Sequence, residues 1–290
     1  DSMDTTHKIN EMSQSKGYEL FCIGVPKTID NDLALTDHCP GYGSAARFVA
    51  AAIRNTAYDT EAMGDSGPIK LMEIMGRNAG WLTAASALAR AQEGDAPHLI
   101  YLPERPVSEA QIAEDVARVY QERGYCVVAV SEGIKDETVK DFGAAGAVDA
   151  FGHKAKLGVV EAVAEVILKA TQQRARFDKP GYLQRSFAEL QSPVDREEAY
   201  QAGGEAVRAA LRGETGQMVS FVRMPGPVYT VDMKLAPLSQ VANQERKVPA
   251  EYINAAGNDV TPAFLDYARP LIGGPLPPYA RLSKQMVAKR

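Results

Sequence analysis

The sequence predicts an α/β protein of two layered domains with largely parallel sheets, and three observations lead there. Short apolar runs of strand length alternate with segments of helical periodicity, the 290 residues suffice for two domains at about 150 each, and polar clusters fall where the strands end.

Taken in order, strand-forming sequence begins close to the start. Residues 19–25 read as a buried strand that Pro26 stops, and the polar string from Lys27 to Asp32 is a loop. Across 44–58 the apolar positions Ala46, Val49, Ala50, Ile53 and Ala57 recur at helical spacing, with Ser44 as N-cap. Residues 69–75 form a strand, Gly76 to Gly80 a turn, and 81–91 an apolar helix; 98–102 is the next strand. Ser108 and Gln111 make a capping box for a helix whose Ile112, Val116, Val119 and Tyr120 share a face and which Gly124 ends. Residues 126–130 are again strand, closing on Ser131-Glu132-Gly133. A Gly/Ala/Lys-rich stretch over 135–158 is a surface excursion, followed by a helix over 159–172. A polar segment over 174–195 precedes a helix over 196–212, weakened by Gly203-Gly204, and a strand over 218–222. Strand and helix alternating at this spacing imply parallel βαβ units.

Composition removes several classes of function. Apolar residues at 45% and charged residues at 24% are ordinary for a soluble globular chain, and no apolar run approaches the ~18–20 residues of a membrane span. A net charge of −5 leaves no global positive field for nucleic acid, so any phosphate must meet a local cluster. Cys22, Cys39 and Cys126 are odd in number and never spaced Cys-x-x-Cys, which argues for a reducing, cytoplasmic setting without a disulfide framework. No secretory leader opens the chain. His7, His38, His98 and His153 lack zinc-ligand spacing.

In parallel α/β sheets, ligands collect beyond the carboxyl ends of strands. Three polar clusters sit there: Lys27 to Asp32, Met75-Gly76-Arg77, and Glu132. Asp30 and Asp32 beside Lys27 and Thr28 suit phosphate chemistry, since a carboxylate accepts a hydroxyl proton or holds Mg²⁺ and an ammonium neutralises phosphate oxygens; an Asx-rich turn accounts for the same residues. Gly76-Arg77 before a helix offers backbone N–H groups and a guanidinium to an anion, or is a plain strand-to-helix turn. Glu132 can accept from sugar hydroxyls or be a solvated loop residue. Arg174, Arg176, Lys179 and Arg185 gather around Pro180-Gly181-Tyr182, as a phosphate monoester would need or as a basic surface loop would show.

These residues, in this order, resemble a known family. Gly24-Val25-Pro26-Lys27-Thr28-Ile29-Asp30-Asn31-Asp32 resembles the Pro-Lys/Gly-Thr-Ile-Asp-Asn-Asp signature of phosphofructokinases. Met75-Gly76-Arg77-Asn78-Ala79-Gly80-Trp81 is similar to that family's Met-Gly-Arg-x-x-Gly block, and Gly181-Tyr182-Leu183-Gln184-Arg185 to its sugar-phosphate motif. Gly257-Asn258-Asp259-Val260-Thr261 and Tyr267-Ala268-Arg269-Pro270-Leu271-Ile272 resemble the C-terminal part of the bacterial pyrophosphate-dependent branch. The resemblance implies a glycolytic phosphotransferase with two αβα Rossmann-like domains. Residues 1–42 and 186–259 would form the donor domain, truncated at its N-terminus, and 43–185 and 260–290 the sugar-phosphate domain.

By the same resemblance, Asp30 would take the proton from the 1-hydroxyl of fructose 6-phosphate and Arg77 would stabilise the moving phosphoryl. Thr28 and Asp32 would flank it, Asp32 through Mg²⁺ or water, and Ile29 would bind substrate. Met75, Gly76, Glu132, Tyr182 and Arg185 would hold the sugar phosphate, with Arg176 reaching the 6-phosphate across a subunit interface of a homo-oligomer, a dimer or tetramer. Lys27, and Asp1 as the end of the family's Gly-Gly-Asp/Asn-Asp-Ser turn, would select pyrophosphate, because an Asp side chain repels a nucleotide's α-phosphate and a lysine attracts free pyrophosphate. An ATP-dependent 6-phosphofructokinase and a non-catalytic sugar-phosphate-binding subunit of the same fold stand as alternatives.

Overall fold

The computed structural model of the protein describes residues 2–138, 140, 142 and 158–281. Its larger sheet is wholly parallel and shows how burial dictates strands. β1 (Ile23–Gly24) belongs to a second sheet, while β2 (Ile69–Ile74), β3 (Leu99–Tyr101), β4 (Cys126–Ser131) and β5 (Ala175–Asp178) pair in the order β3-β4-β2-β5. Side chains alternate faces along each strand. Met72 and Ile74 of β2 and Val127 and Ala129 of β4 pack with Val49 and Ile53 of α2 (Tyr42–Met63) and Trp81 and Leu82 of α3 (Trp81–Ala84). Ile69, Leu71, Val128 and Val130 face the other way, onto Val116 of α4 (Glu109–Arg123) and Val163 of α5 (Val159–Thr171). Both faces of β3 and β4 are covered, which is why these two strands read as apolar runs, whereas β2 carries Lys70 and Glu73 half-buried and edge strand β5 leaves Arg176 and Phe177 exposed.

The smaller sheet repeats the three-layer plan. β1 pairs parallel with β6 (Gln217–Arg223), and β7 (Val231–Pro237) adds on antiparallel, in the order β1-β6-β7. One face packs on Met3 of α1 (Ser2–Ser15) and on Leu238 and Val241 of α7 (Leu238–Val241). The other packs on Ala202 of α6 (Pro193–Leu211). α8 (Pro262–Ala268) returns to the larger sheet, where Phe264 and Tyr267 join the cluster around Trp81.

Caps account for where the helices begin and end. Ser108 Oγ accepts the Gln111 N–H (3.1 Å) and Gly124 closes α4 at φ +79°, the left-handed geometry glycine tolerates. Ser44 is not the N-cap of α2; the helix starts at Tyr42, and Asp195, from α6, accepts from Gly41 N–H (2.7 Å), Ser44 N–H (3.0 Å) and the Ser44 hydroxyl. α6 begins at Pro193, three residues before 196, because Ser192 Oγ caps it through the Asp195 N–H, and it runs through Gly203-Gly204.

Three further expectations are corrected. The start of the chain is helical, since α1 needs little apolar surface beyond Met3. The strand expected over 19–25 shrinks to β1 because Leu20, Phe21 and Val25 stay exposed along the sheet's edge. The helix expected over 81–91 tightens after α3 into a 3-10 turn, Ala85–Ala89. Most of the excursion at 135–158 lies outside the described residues. Among the described residues, no helix is long and apolar enough to cross a membrane.

Candidate active site

The loop leaving β1 is shaped by its own side chains. The Asp30 N–H donates to Thr28 Oγ1 (3.1 Å), tightening the turn. Asn31, fully buried, adopts φ +56°, a conformation asparagine tolerates better than most residues. Its side-chain oxygen accepts the Cys39 N–H (2.9 Å) and its amide donates to the Tyr267 hydroxyl (2.8 Å). With Asn31 locked inward, the flanking Asp30 and Asp32 are left half-buried, and Lys27 is exposed. Burial first, and the neighbouring Asp30 carboxylate second, hold the Asp32 carboxyl above its ordinary value.

Arg246 braces this loop from a distant part of the chain. Its N–H donates to Asp32 O (2.7 Å), Nη1 to Asp37 O (2.5 Å) and Nη2 to Asn31 O (2.8 Å), while the guanidinium lies 4.2 Å from the Trp81 ring centre. Beyond it, buried His38 bridges Asp37 (Nδ1, 2.9 Å) and Glu198 (Nε2, 2.7 Å). Burial opposes the imidazolium, but the hydrogen bonds to Asp37 and Glu198 outweigh it and raise the His38 pKa.

The loop leaving β2 meets the loop leaving β4. Gly76 sits at φ +127°, and a Cβ there would stand 2.5 Å from Ala79 O, so only glycine fits. Ser131 Oγ donates to Gly76 O (2.6 Å), the Gly76 N–H reaches Glu132 Oε1 (3.4 Å), and Arg77 Nε pairs with the same oxygen at 3.7 Å. The Arg77 side chain is 84% exposed and so can swing toward an anion. Gly133 lies against the Arg77 backbone, where a Cβ would fall 1.8 Å from the Arg77 carbonyl.

A 3-10 turn, Gly181–Arg185, completes the arrangement. Buried Gln184 accepts the Met75 N–H on Oε1 (3.1 Å) and donates from Nε2 to Gly181 O (3.2 Å), fastening the turn to the β2 loop. Tyr182 is exposed, with the Arg185 guanidinium 4.4 Å from its ring centre. Arg185 and Ile29 line one cavity of 380 Å3 with Ser44, Phe48 and Asp195. A larger cavity of 760 Å3, walled by Arg54, Arg90, Arg223 and Leu276, contains none of the residues predicted for the site.

The structure thus joins Glu132 with Gly76 and Arg77, Met75 with the turn bearing Tyr182 and Arg185, Ile29 with Arg185, and Asp30 with Asp32. Arg176 stands apart. It lies opposite Lys70 in the sheet and donates to Ser66 O (3.2 Å), five residues before Met75, or roughly 16 Å along β2 at about 3.3 Å per residue. Asp1 lies outside the described residues. Gln184, Ser131, Gly133 and Arg246 were not singled out as site residues in the sequence; Gln184 lay inside a quoted motif, whereas nothing local marks Arg246. Among the described residues no three His, Cys, Asp or Glu side chains gather to hold a metal alone. Half-buried Asp32 is of the type suited to Mg²⁺, which is commonly held by one or two carboxylates together with substrate phosphates.

A family model described as Phosphofructokinase matches residues 1–210. A protein of Xanthomonas campestris pv. campestris named pyrophosphate--fructose 6-phosphate 1-phosphotransferase is 40% identical over 301 residues, covering 100% of this chain and 72% of the relative. One of the same name from Rhodospirillum rubrum is 42% identical over 298 residues, with 100% and 72% covered. The crystal structure of a pyrophosphate-dependent phosphofructokinase from Marinobacter aquaeolei matches with a TM-score of 0.84 at 36% identity, covering 100% of this chain and 71% of that one.

Proposed function

This chain belongs to the phosphofructokinase family, and from that premise we propose that it transfers a phosphoryl group from pyrophosphate to the 1-hydroxyl of fructose 6-phosphate, a glycolytic step giving fructose 1,6-bisphosphate and phosphate. The observation that carries the reading is the locked Thr28–Asp32 turn, with its two half-buried carboxylates, in a chain whose exposed Arg77 rises from the loop leaving β2, linked to that turn through Arg246 and Lys247.

In the forward direction Asp30 accepts the proton of the 1-hydroxyl as that oxygen bonds to phosphorus and the bridging P–O bond of pyrophosphate breaks. Phosphate leaves, and in reverse the same carboxylic acid returns the proton. An ordinary carboxylate suffices, because in a loose phosphoryl-transfer transition state the hydroxyl proton leaves late. Arg77, free to leave Glu132, meets charge on the transferring group. Glu132 uses one oxygen on Gly76 and keeps the other for a sugar hydroxyl. Met75 has its N–H committed to Gln184, so it contributes shape rather than a donor. Tyr182 and Arg185 face the sugar phosphate from the 3-10 turn. Thr28, Ile29 and Asp32 flank the phosphoryl, with Asp32 as the Mg²⁺ ligand; the ion, when bound, neutralises pyrophosphate charge. Lys27 and Asp1 set the choice of donor.

The division into a donor domain (1–42 and 186–259) and a sugar-phosphate domain (43–185 and 260–290) is supported by the sheets, since β1, β6 and β7 fall in the first set and β2 to β5 in the second. Arg176, remote from the other loops, reaches the 6-phosphate of a neighbouring subunit's site, which makes the active species a homo-oligomer, a dimer or tetramer. The enzyme works in the cytoplasm. The test is a coupled assay with fructose 6-phosphate and either pyrophosphate or ATP. Turnover with pyrophosphate, lost in Asp30→Ser while sugar phosphate still binds, supports the reading. Turnover with ATP and none with pyrophosphate overturns the donor, and full activity in Asp30→Ser overturns the base.

A further inference from the structure

We propose that Arg246 is a positioning residue for phosphoryl transfer, a strut that fixes the Asp30 loop against the Arg77 loop; this rests on the reading of Asp30 as general base. Arg246 lies between α7 and the 3-10 turn Ala250–Tyr252, more than two hundred positions from Asp30. Yet three backbone carbonyls of residues 31–37 are tied to it: Asn31 O to Nη2, Asp37 O to Nη1, and Asp32 O to its own N–H. Two of those carbonyls belong to the residues immediately after Asp30, the fork holding the first and the Arg246 N–H the second, so this residue sets the direction from which the Asp30 carboxylate approaches.

The same segment grips the other loop. The Arg246 carbonyl accepts the Trp81 Nε1–H (2.9 Å), and the guanidinium stacks on that indole. Lys247 Nζ donates to Asn78 O, and the Val248 N–H goes to Glu104 Oε1, which also takes the Gly80 N–H (2.9 Å). Residues 246–248 are therefore bonded to both walls between which the phosphoryl group would move. Such transfer depends on the base and the charge-stabilising cation being held at a fixed separation, and misplacement by about 1 Å costs about 100-fold in rate. A planar guanidinium can hold two carbonyls at set angles, whereas a lysine ammonium is a point charge on a flexible stem.

The experiment is a double-mutant cycle in the full chain with Arg246→Lys and Asp30→Ser, measuring kcat and both KM values beside a thermal melt. Arg246→Lys should lower kcat by about 30-fold to 100-fold with each KM within about 3-fold. In the Asp30→Ser background the same change should alter residual turnover by less than about 2-fold, because no base is left to position. Should Arg246→Lys fail to fold, Trp81→Phe keeps an aromatic ring while removing the bond to the Arg246 carbonyl, and should show the same non-additivity with Asp30→Ser. An unchanged kcat, a rise in KM alone, or an equal loss with and without Asp30 overturns the proposal. Wild-type turnover in Asp30→Ser alone instead overturns the base on which it rests.

Discussion

Replacing Gln184 by Leu conserves volume while removing the hydrogen bond that fastens the 3-10 turn to the β2 loop and the one to Gly181 that closes the turn on itself. The side chain is 2% exposed, so water does not replace them. The Met75 N–H loses its acceptor, worth about 1–3 kcal/mol for a donor left unsatisfied, and the bond to Gly181 adds about 1 kcal/mol. The total is about 2–4 kcal/mol of stability. The Met75 share also pre-orders the loop proposed to carry the sugar phosphate, and at about 1.4 kcal/mol per decade it corresponds to a tenfold to hundredfold rise in KM for fructose 6-phosphate. KM for pyrophosphate should move less than about 3-fold, since the bonds lost lie on the sugar side. Gln184→Glu keeps an acceptor for Met75 but sets an anion against Gly181 O, so it should fall between wild type and Gln184→Leu. Steady-state kinetics with each substrate varied in turn, beside calorimetric melting, decide the matter. Equal rises in both KM values, or an unaltered KM for the sugar with an unaltered melting temperature, would refute the reasoning.

If Arg176 serves a neighbouring subunit, Arg176→Ala and Asp30→Ser variants, each with only residual turnover alone, should regain a fraction of wild-type turnover when unfolded and refolded together; no recovery in mixed oligomers argues against sharing. Gly133→Ala drives a methyl into the Arg77 carbonyl and should raise the sugar KM more than about tenfold while far-UV circular dichroism stays unchanged; normal kinetics would contradict the packing. His98 accepts the Val127 N–H on Nδ1, and burial, with Arg123 and Arg90 nearby, pushes its pKa down to about 4 from 6.5. The unfolded chain therefore takes up this proton first, so stability falls as pH drops from about 6.5 to 4, by about 3 kcal/mol for a shift of about 2.5 units. His98→Gln should flatten that slope in urea titrations. His38 has the opposite sign: its raised pKa gives stability that is full below about 6.5 and is lost as pH rises through the folded value, so the wild-type advantage over His38→Gln should shrink toward alkaline pH.

The larger sheet was legible in the sequence because β4 is buried throughout and appears as a nearly continuous apolar run, β2 buries four apolar residues around half-buried Lys70 and Glu73, and Ser108 and Gly124 mark one helix between them. The smaller sheet was harder to read. In 19–25 the apolar residues suggested a full strand, although most remain outside the core, and α1 carries too thin an apolar stripe to announce a helix. β7 did hold a period-two signal, Val231, Met233 and Leu235 alternating with Asp232 and Lys234, but it follows the Gly226-Pro227 break and pairs antiparallel. At the candidate site, Asp30, Arg77 and Glu132 stood out because their chemistry is concentrated in short motifs. Gln184 and Arg246 act through partners 109 and 215 positions away, and no local pattern encodes such a bond.

Because Asp195 fills the amino pole of α2, the half unit of positive charge that a long helix carries there is neutralised from within the protein. The anion seat that parallel α/β folds commonly place at that pole is closed. A phosphate brought to that pole would meet a carboxylate, and the attraction of cationic side chains such as Arg185 and Lys27 weakens as salt screens it. A preference held in such side chains, and not in the helix backbone, would be open to change by exchanging one of them.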